Sequence, residues 1–156
     1  MSSKLYQFHS TDKEIVIIRF IFIVAFIYLS TLSLSLQAVE VIAHPSVNVA
    51  SLTTSQLRRI YSMRQVKWSN GVPIVVFVLP SKSITHQNFC KESLKVFPYQ
   101  LDRIWNKLTF SGLGVAPTVV ETSTELLLAV KRTPGAIGYI ESIIKEEEIN
   151  VITINN

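Results

Sequence analysis

Pro134-Gly135-Ala136-Ile137-Gly138-Tyr139 constrains this chain more than any other stretch. Pro134 has no N–H to give a helix and Gly135 tolerates a left-handed turn, so the helix-periodic residues before them must stop there. The apolar run Ala136 to Ile140 that follows at once reads as a buried strand. A helix that gives way within two residues to a buried strand is half of a strand-helix-strand unit, and such units build layered α/β domains.

The same alternation runs along the rest of the chain. Val39 to Ala43 is a short apolar strand closing in the loop His44-Pro45-Ser46. Thr53 and Gln56 have capping-box spacing, and Leu57, Ile60 and Tyr61 follow at helical period, so a helix should start near Thr53 and end near Met63. Arg64 to Val72, with Trp68 and Asn70-Gly71, reads as a loop. Pro73 to Leu79 is almost wholly apolar and β-branched, the pattern of a strand covered on both faces, and is expected at the centre of the sheet. Pro80 to Thr85 then turns the chain into a second helix, with Phe89, Cys90, Leu94 and Phe97 on its buried side. Pro98 opens a third, whose Leu101, Ile104, Trp105 and Leu108 share one face, and the two are expected to form a helical hairpin. Thr118 to Val120 is a short strand. Thr122 and Glu125 cap a helix that should stop near Arg132. Ile143 to Glu148 reads as a short helix, and Ile149 to Ile154 as a last strand at an edge. The fold class is therefore α/β, with a mainly parallel sheet flanked by helices.

The first 38 residues stand apart from this pattern. Lys4, Lys13 and Arg19 precede the apolar run Phe20 to Leu29, and Leu36-Gln37-Ala38 ends a Ser/Thr/Leu stretch. That order is the order of a secretory signal peptide cleaved after Ala38. Phe20 to Val39 carries no charge and is also long enough to remain as an uncleaved membrane anchor. On either reading, residues 39–156 are one exported domain, placed in the periplasm. Its twelve Lys/Arg against nine Asp/Glu leave a mild positive charge, short of a nucleic-acid footprint. A single cysteine, Cys90, allows no internal disulfide.

In a parallel α/β sheet, ligands bind beyond the carboxyl ends of strands, where helix N-termini present unpaired N–H groups. Ser81, Lys82, Ser83 and Thr85 occupy that place: two hydroxyls at Ser83 and Thr85, backbone N–H donors from Ser83 onward, and a movable cation at Lys82. The plainer role for Ser83 or Thr85 is to cap the helix. Ser46, and the loop Ser111 to Gly114, flank other strand ends and are second-rank candidates, with ordinary turns as their alternative. His86 precedes Cys90 by one helical turn, a spacing that could pair a base with a thiol, although a buried inert cysteine explains it as well. No histidine has partners at metal-ligand spacing, and neither a nucleotide fingerprint nor a nucleophile elbow is present, so no metal, cofactor or enzymatic activity is expected.

Several of these elements, in this order, resemble the phosphate-binding proteins of bacterial ABC importers: the helix from Thr53 through Ile60-Tyr61, Trp68, Ser83-Ile84-Thr85 followed by Phe89, and Pro134 to Tyr139. The resemblance covers about Val39 to Glu141. A smaller exported subfamily, labelled phosphate transporter substrate-binding proteins, is similar end to end, with His44-Pro45-Ser46 and with Trp105, Phe110, Gly112, Gly114 and Pro117. The resemblance implies a single lobe of a type II periplasmic-binding-protein fold. It further implies a substrate-binding protein for phosphate or a similar oxyanion, with ABC transporter membrane subunits as partners. The mild charge points to no nucleic acid, and a homodimer is one way to close two half clefts. The departures are specific. Ile84 replaces the glycine of the family's serine-glycine-threonine triplet, and Leu79 and Ser81 stand where the family has an arginine and an aspartate. They motivate an alternative: a non-catalytic protein-interaction or sensory-accessory domain that keeps the fold without tight ligand binding.

Overall fold

The computed structural model describes residues 18–20, 39–112, 114–141 and 149–155. The chain divides into the units Met1–Leu36 and Gln37–Asn156, and the sheet lies in the second. Residues 1–38, apart from 18–20, and the helix expected over residues 143–148 lie outside the described residues. Among the described residues no helix is long and apolar enough to cross a membrane.

Six strands form one sheet: β1 (Val39–Ala43), β2 (Ser51–Thr53), β3 (Val75–Val78), β4 (Thr118–Val119), β5 (Ala136–Glu141) and β6 (Asn150–Asn155). Their order is β2-β6-β1-β5-β3-β4. β2 runs parallel to β6, and β3 runs parallel to both β4 and β5. β1 is antiparallel to its neighbours β5 and β6. Five strands thus share one direction and β1 runs against them, so the sheet is mainly parallel but mixed.

Two strand positions differ from expectation. β3 is not central: it lies one place in from an edge, shielded by the two-residue β4, while β1 and β5 hold the middle. β6 is not an edge strand, because Ser51–Thr53 pairs along its outer side. The helix start expected near Thr53 is thus also the end of a strand, and Thr53 serves as both strand residue and cap. Thr53 Oγ1 accepts from Gln56 N–H at 3.2 Å and Gln56 Oε1 accepts from Thr53 N–H at 2.8 Å, closing the capping box of α1 (Thr54–Tyr61).

The second helix is composite. α2 (Ile84–Asn88) continues into a wider π-helical turn over Phe89–Ser93, where Leu94 N–H reaches back five residues to the Phe89 carbonyl at 3.1 Å. Phe89, Cys90 and Leu94 are buried as expected. Phe97 is not: beyond Lys95, at φ +54°, the chain has turned, and Phe97 is 57% exposed. α3 (Pro98–Ser111) follows, burying Leu101 and Trp105, with Trp105 Nε1–H donating to the Tyr61 carbonyl at 2.8 Å. α4 (Ser123–Arg132) starts where Thr122 Oγ1 accepts from Glu125 N–H at 3.1 Å, and it ends just ahead of Pro134.

Alternation along β5 assigns the helices to faces. A Cβ on Gly138 would lie 2.5 Å from Leu126 Cδ2 and 3.0 Å from Val130 Cγ2, so α4 packs directly on that glycine. Tyr139 points the other way, stacking on Phe89 with ring centroids 3.9 Å apart and lying 6.0 Å from Tyr61. α1 and the α2 segment therefore cover the opposite face, and the sheet is sandwiched between helices.

Candidate functional site

The connections leaving β3 and β5 diverge: one leads to β4 at the near edge, the other to β6 beyond β1. Such a reversal opens a crevice past the carboxyl ends of the two strands. The residues after β3, Leu79 to Thr85, stand at that crevice, and Tyr139 ties its two sides together. Its hydroxyl accepts from Leu79 N–H at 2.9 Å and bonds His86 Nδ1 at 2.5 Å. His86 Nε2 in turn lies 3.3 Å from Cys90 Sγ. One proton arrangement satisfies the whole chain: Leu79 N–H donates to Tyr139, Tyr139 O–H donates to His86 Nδ1, and His86 Nε2–H donates to the sulfur. Tyr139, His86 and Cys90 are all fully buried.

This burial determines the chemistry of the group. Desolvation pushes the Cys90 thiol up to about 12, with the nearby Asp102 carboxylate adding to the effect. It raises Tyr139 well above an ordinary phenol, against the Leu79 N–H bond that favours the phenolate. It lowers His86, and Asp102 offsets that only in part. At neutral pH the trio is uncharged and protonated on sulfur, which makes it a positioning network and not an activated nucleophile. The His86/Cys90 spacing thus brings the two side chains together without creating a reactive dyad.

Each residue expected at the site has a definite place. Ser83 is the N-cap of α2, yet its hydroxyl makes no capping bond. Its N–H donates to the Pro80 carbonyl at 2.8 Å, so the outward backbone donors begin at Ile84 and not at Ser83. Thr85 lies one residue into the helix and is 7% exposed. Lys82 is exposed beside them. Ser81 Oγ donates to Asp102 Oδ1 at 2.7 Å, which commits that hydroxyl to α3. Ile84 adds a branched apolar side chain, 66% exposed, to the first turn. Leu79 is buried in the core and sends nothing into the crevice.

Ser46 does not join this group. β1 runs antiparallel to β5, with His44 N–H donating to the Ala136 carbonyl, so the loop after β1 sits at the amino end of β5 and β3. The four residues of β3 alone separate it from Leu79 by roughly 13 Å at about 3.3 Å per residue. There Ser46 Oγ accepts from Gly135 N–H at 3.1 Å and bonds His44 Nδ1 at 2.8 Å, while Trp68 Nε1–H donates to the Gly135 carbonyl at 2.9 Å. Ser46 and Trp68 therefore clamp the Pro134-Gly135 turn. In the Ser111 to Gly114 loop, Ser111 Oγ donates back to the Lys107 carbonyl at 2.6 Å, and residue 113 is outside the described residues. Asp102 is the residue at the crevice that sequence reasoning missed, since a polar position in an amphipathic helix looks like any other solvated one. Among the described residues, no group of three His, Cys, Asp or Glu could hold a metal ion.

No protein-family model matches this sequence, and no curated protein is similar to it in sequence. Solved structures do share its fold. A phosphate ABC transporter substrate-binding protein with bound phosphate from Clostridium perfringens superposes with a TM-score of 0.60 at 22% identity, over 74% of this chain and 44% of that one. An ABC-type phosphate transport receptor from Vibrio cholerae gives 0.56 at 20% identity, over 74% and 45%. PstS from Borrelia burgdorferi gives 0.55 at 19%, over 76% and 47%. This chain spans less than half the length of each, and its architecture is that of one lobe of a type II periplasmic binding protein.

Proposed function

We propose that this chain is an exported, periplasmic, non-enzymatic domain that binds phosphate or a similar oxyanion at the start of α2 and presents it to an ABC-type importer. The observation that carries the reading is the uncapped Ser83 at a strand-to-helix turn on the β3/β5 switch point. On this reading the helix start offers the Ile84 and Thr85 N–H groups, and the hydroxyls of Ser83 and Thr85 would complete the donor set. Lys82 adds a mobile cation that attracts the anion without a bidentate grip. The likeness to structures named as phosphate-binding proteins supports the same choice of ligand, as does the resemblance carried by Ser83-Ile84-Thr85 and Pro134 to Tyr139. Titration calorimetry with phosphate, using sulfate for comparison, tests it: saturable heat that disappears in a Ser83→Ala/Thr85→Ala double variant is the expected result, and equal affinity in the variant refutes it.

Asp102 favours a second reading. Its carboxylate holds Ser81 at the crevice and repels an incoming anion, and Leu79 and Ser81 stand where the resembling family has an arginine and an aspartate. On this reading the lobe is retained as an interaction or sensory-accessory domain. Sedimentation with and without phosphate tests whether two half clefts close over an anion: a phosphate-dependent dimer favours the oxyanion reading, and a monomer that phosphate does not change rejects the dimer.

A further inference from the structure

We propose that the groove between the C-terminal end of α1 and the exposed stripe of α3 docks an acidic segment of another protein. That segment would seat one apolar side chain in the groove and set carboxylates on its rim. Two adjoining hollows, about 230 and 550 Å³, share Gln100 and Ile104. The smaller has an apolar floor of Val96, Leu101 and Ile104, and the size suits a single side chain better than a small-molecule ligand. Arg58 and Arg64 stand on its α1 side, and Arg103 and Lys107 line the larger hollow on the α3 side. Among the described residues, no Asp or Glu lines either hollow.

Arg58 is held in place by its Nε–H donating to the Leu94 carbonyl at 2.6 Å. Arg103 and Lys107 are four residues apart on one helix face, a like-charge spacing that is unfavourable unless something negative lies between them. Just before Gln100, Phe97 and Tyr99 are exposed and stack on each other with centroids 5.8 Å apart, a type of side chain enriched at protein interfaces. A bilayer would meet a protruding cationic surface, whereas these cations rim a hollow, so a peptide fits better than a membrane. The groove shares no residue with Leu79 to Thr85 and stands independently of the phosphate reading.

The test is fluorescence anisotropy on the full chain with a short labelled peptide of glutamates around one central leucine. Binding should weaken as salt rises. The exposed Arg64 and Arg103 can be changed without touching the core, and an Arg64→Glu/Arg103→Glu variant should lose roughly tenfold or more in affinity, from two partly screened charge contacts. Replacing the leucine of the probe by glycine should weaken it, and Ser83→Ala/Thr85→Ala should leave it unchanged. Equal binding of a lysine-for-glutamate probe, or unchanged affinity in the charge-reversed variant, would overturn the proposal. So would binding to phosphatidylserine vesicles without binding to the peptide, which would make the groove a membrane contact.

Discussion

Two tyrosines in one aromatic cluster should respond in opposite directions to the loss of a single oxygen atom. Tyr139→Phe removes the hydroxyl that satisfies Leu79 N–H at 2.9 Å and His86 Nδ1 at 2.5 Å. The stack on Phe89 survives, because the ring is unchanged. Two buried polar atoms are left without their partner, at about 1–3 kcal/mol each before relaxation, so the variant should lose about 2–4 kcal/mol. Tyr61 sits in the same cluster, its ring 4.7 Å from Phe89, with a fully buried hydroxyl that has no hydrogen-bond partner among the described residues. Tyr61→Phe removes an atom that already bears a desolvation cost, and should be neutral or stabilise by up to about 1 kcal/mol. Urea unfolding measures both, as midpoint shifts at constant slope. A loss below about 0.5 kcal/mol in Tyr139→Phe would refute the buried network, as would a larger loss in Tyr61→Phe than in Tyr139→Phe.

Other consequences follow from the same geometry. Gly135 sits at φ +79° and a Cβ there would lie 2.3 Å from the Pro73 carbonyl oxygen, so Gly135→Ala should cost about 2–4 kcal/mol in urea unfolding, and a cost under about 1 kcal/mol would contradict the close approach. His86 has a lowered pKa in the folded state, so the unfolded chain takes up a proton first as pH falls. Stability should be full above about pH 6.5 and decline from there down to the folded pKa, with a decline that His86→Gln flattens; an unaltered acid limb in that variant would reject it. Asp102→Asn keeps an acceptor for Ser81 while removing the charge, and should tighten phosphate binding a few-fold in calorimetry, whereas weaker binding would show that the carboxylate does not oppose the anion.

The local half of this fold was legible because its signals are local. Thr53 with Gln56, Thr122 with Glu125, and Pro134 with Gly135 each act within one helical turn, and the helices start and stop where they say. Pairing partners were not legible. β1 looks like any short apolar strand, and nothing in Val39 to Ala43 states that it runs against its neighbours. β6 has the alternating exposure of an edge strand, while β2, which covers it, is three residues disguised as a helix approach. At the crevice, Ser81 to Thr85 could be found from strand-to-helix logic, and the i, i+4 spacing of His86 and Cys90 brought them to notice. The Tyr139 hydroxyl and the Asp102 carboxylate reach the crevice from 60 and 21 residues away, and only the folded chain shows what they hold. For the same reason Ser46, which looked like Ser83 as a residue after a strand, went to the other end of the sheet once β1 proved antiparallel.

The most direct test of the central claim is calorimetric titration of the purified protein with phosphate, run in parallel on the Ser83→Ala/Thr85→Ala variant. Saturable binding by the native chain should come with a rise in melting temperature, since a hundredfold excess over Kd contributes about 2.7 kcal/mol. The variant should fold, with a lower melting temperature in the absence of phosphate because buried Thr85 is truncated, and phosphate should give it neither heat nor a further shift. No heat and no shift for the native chain up to millimolar phosphate would contradict the oxyanion reading and favour the proposed interaction or sensory-accessory domain.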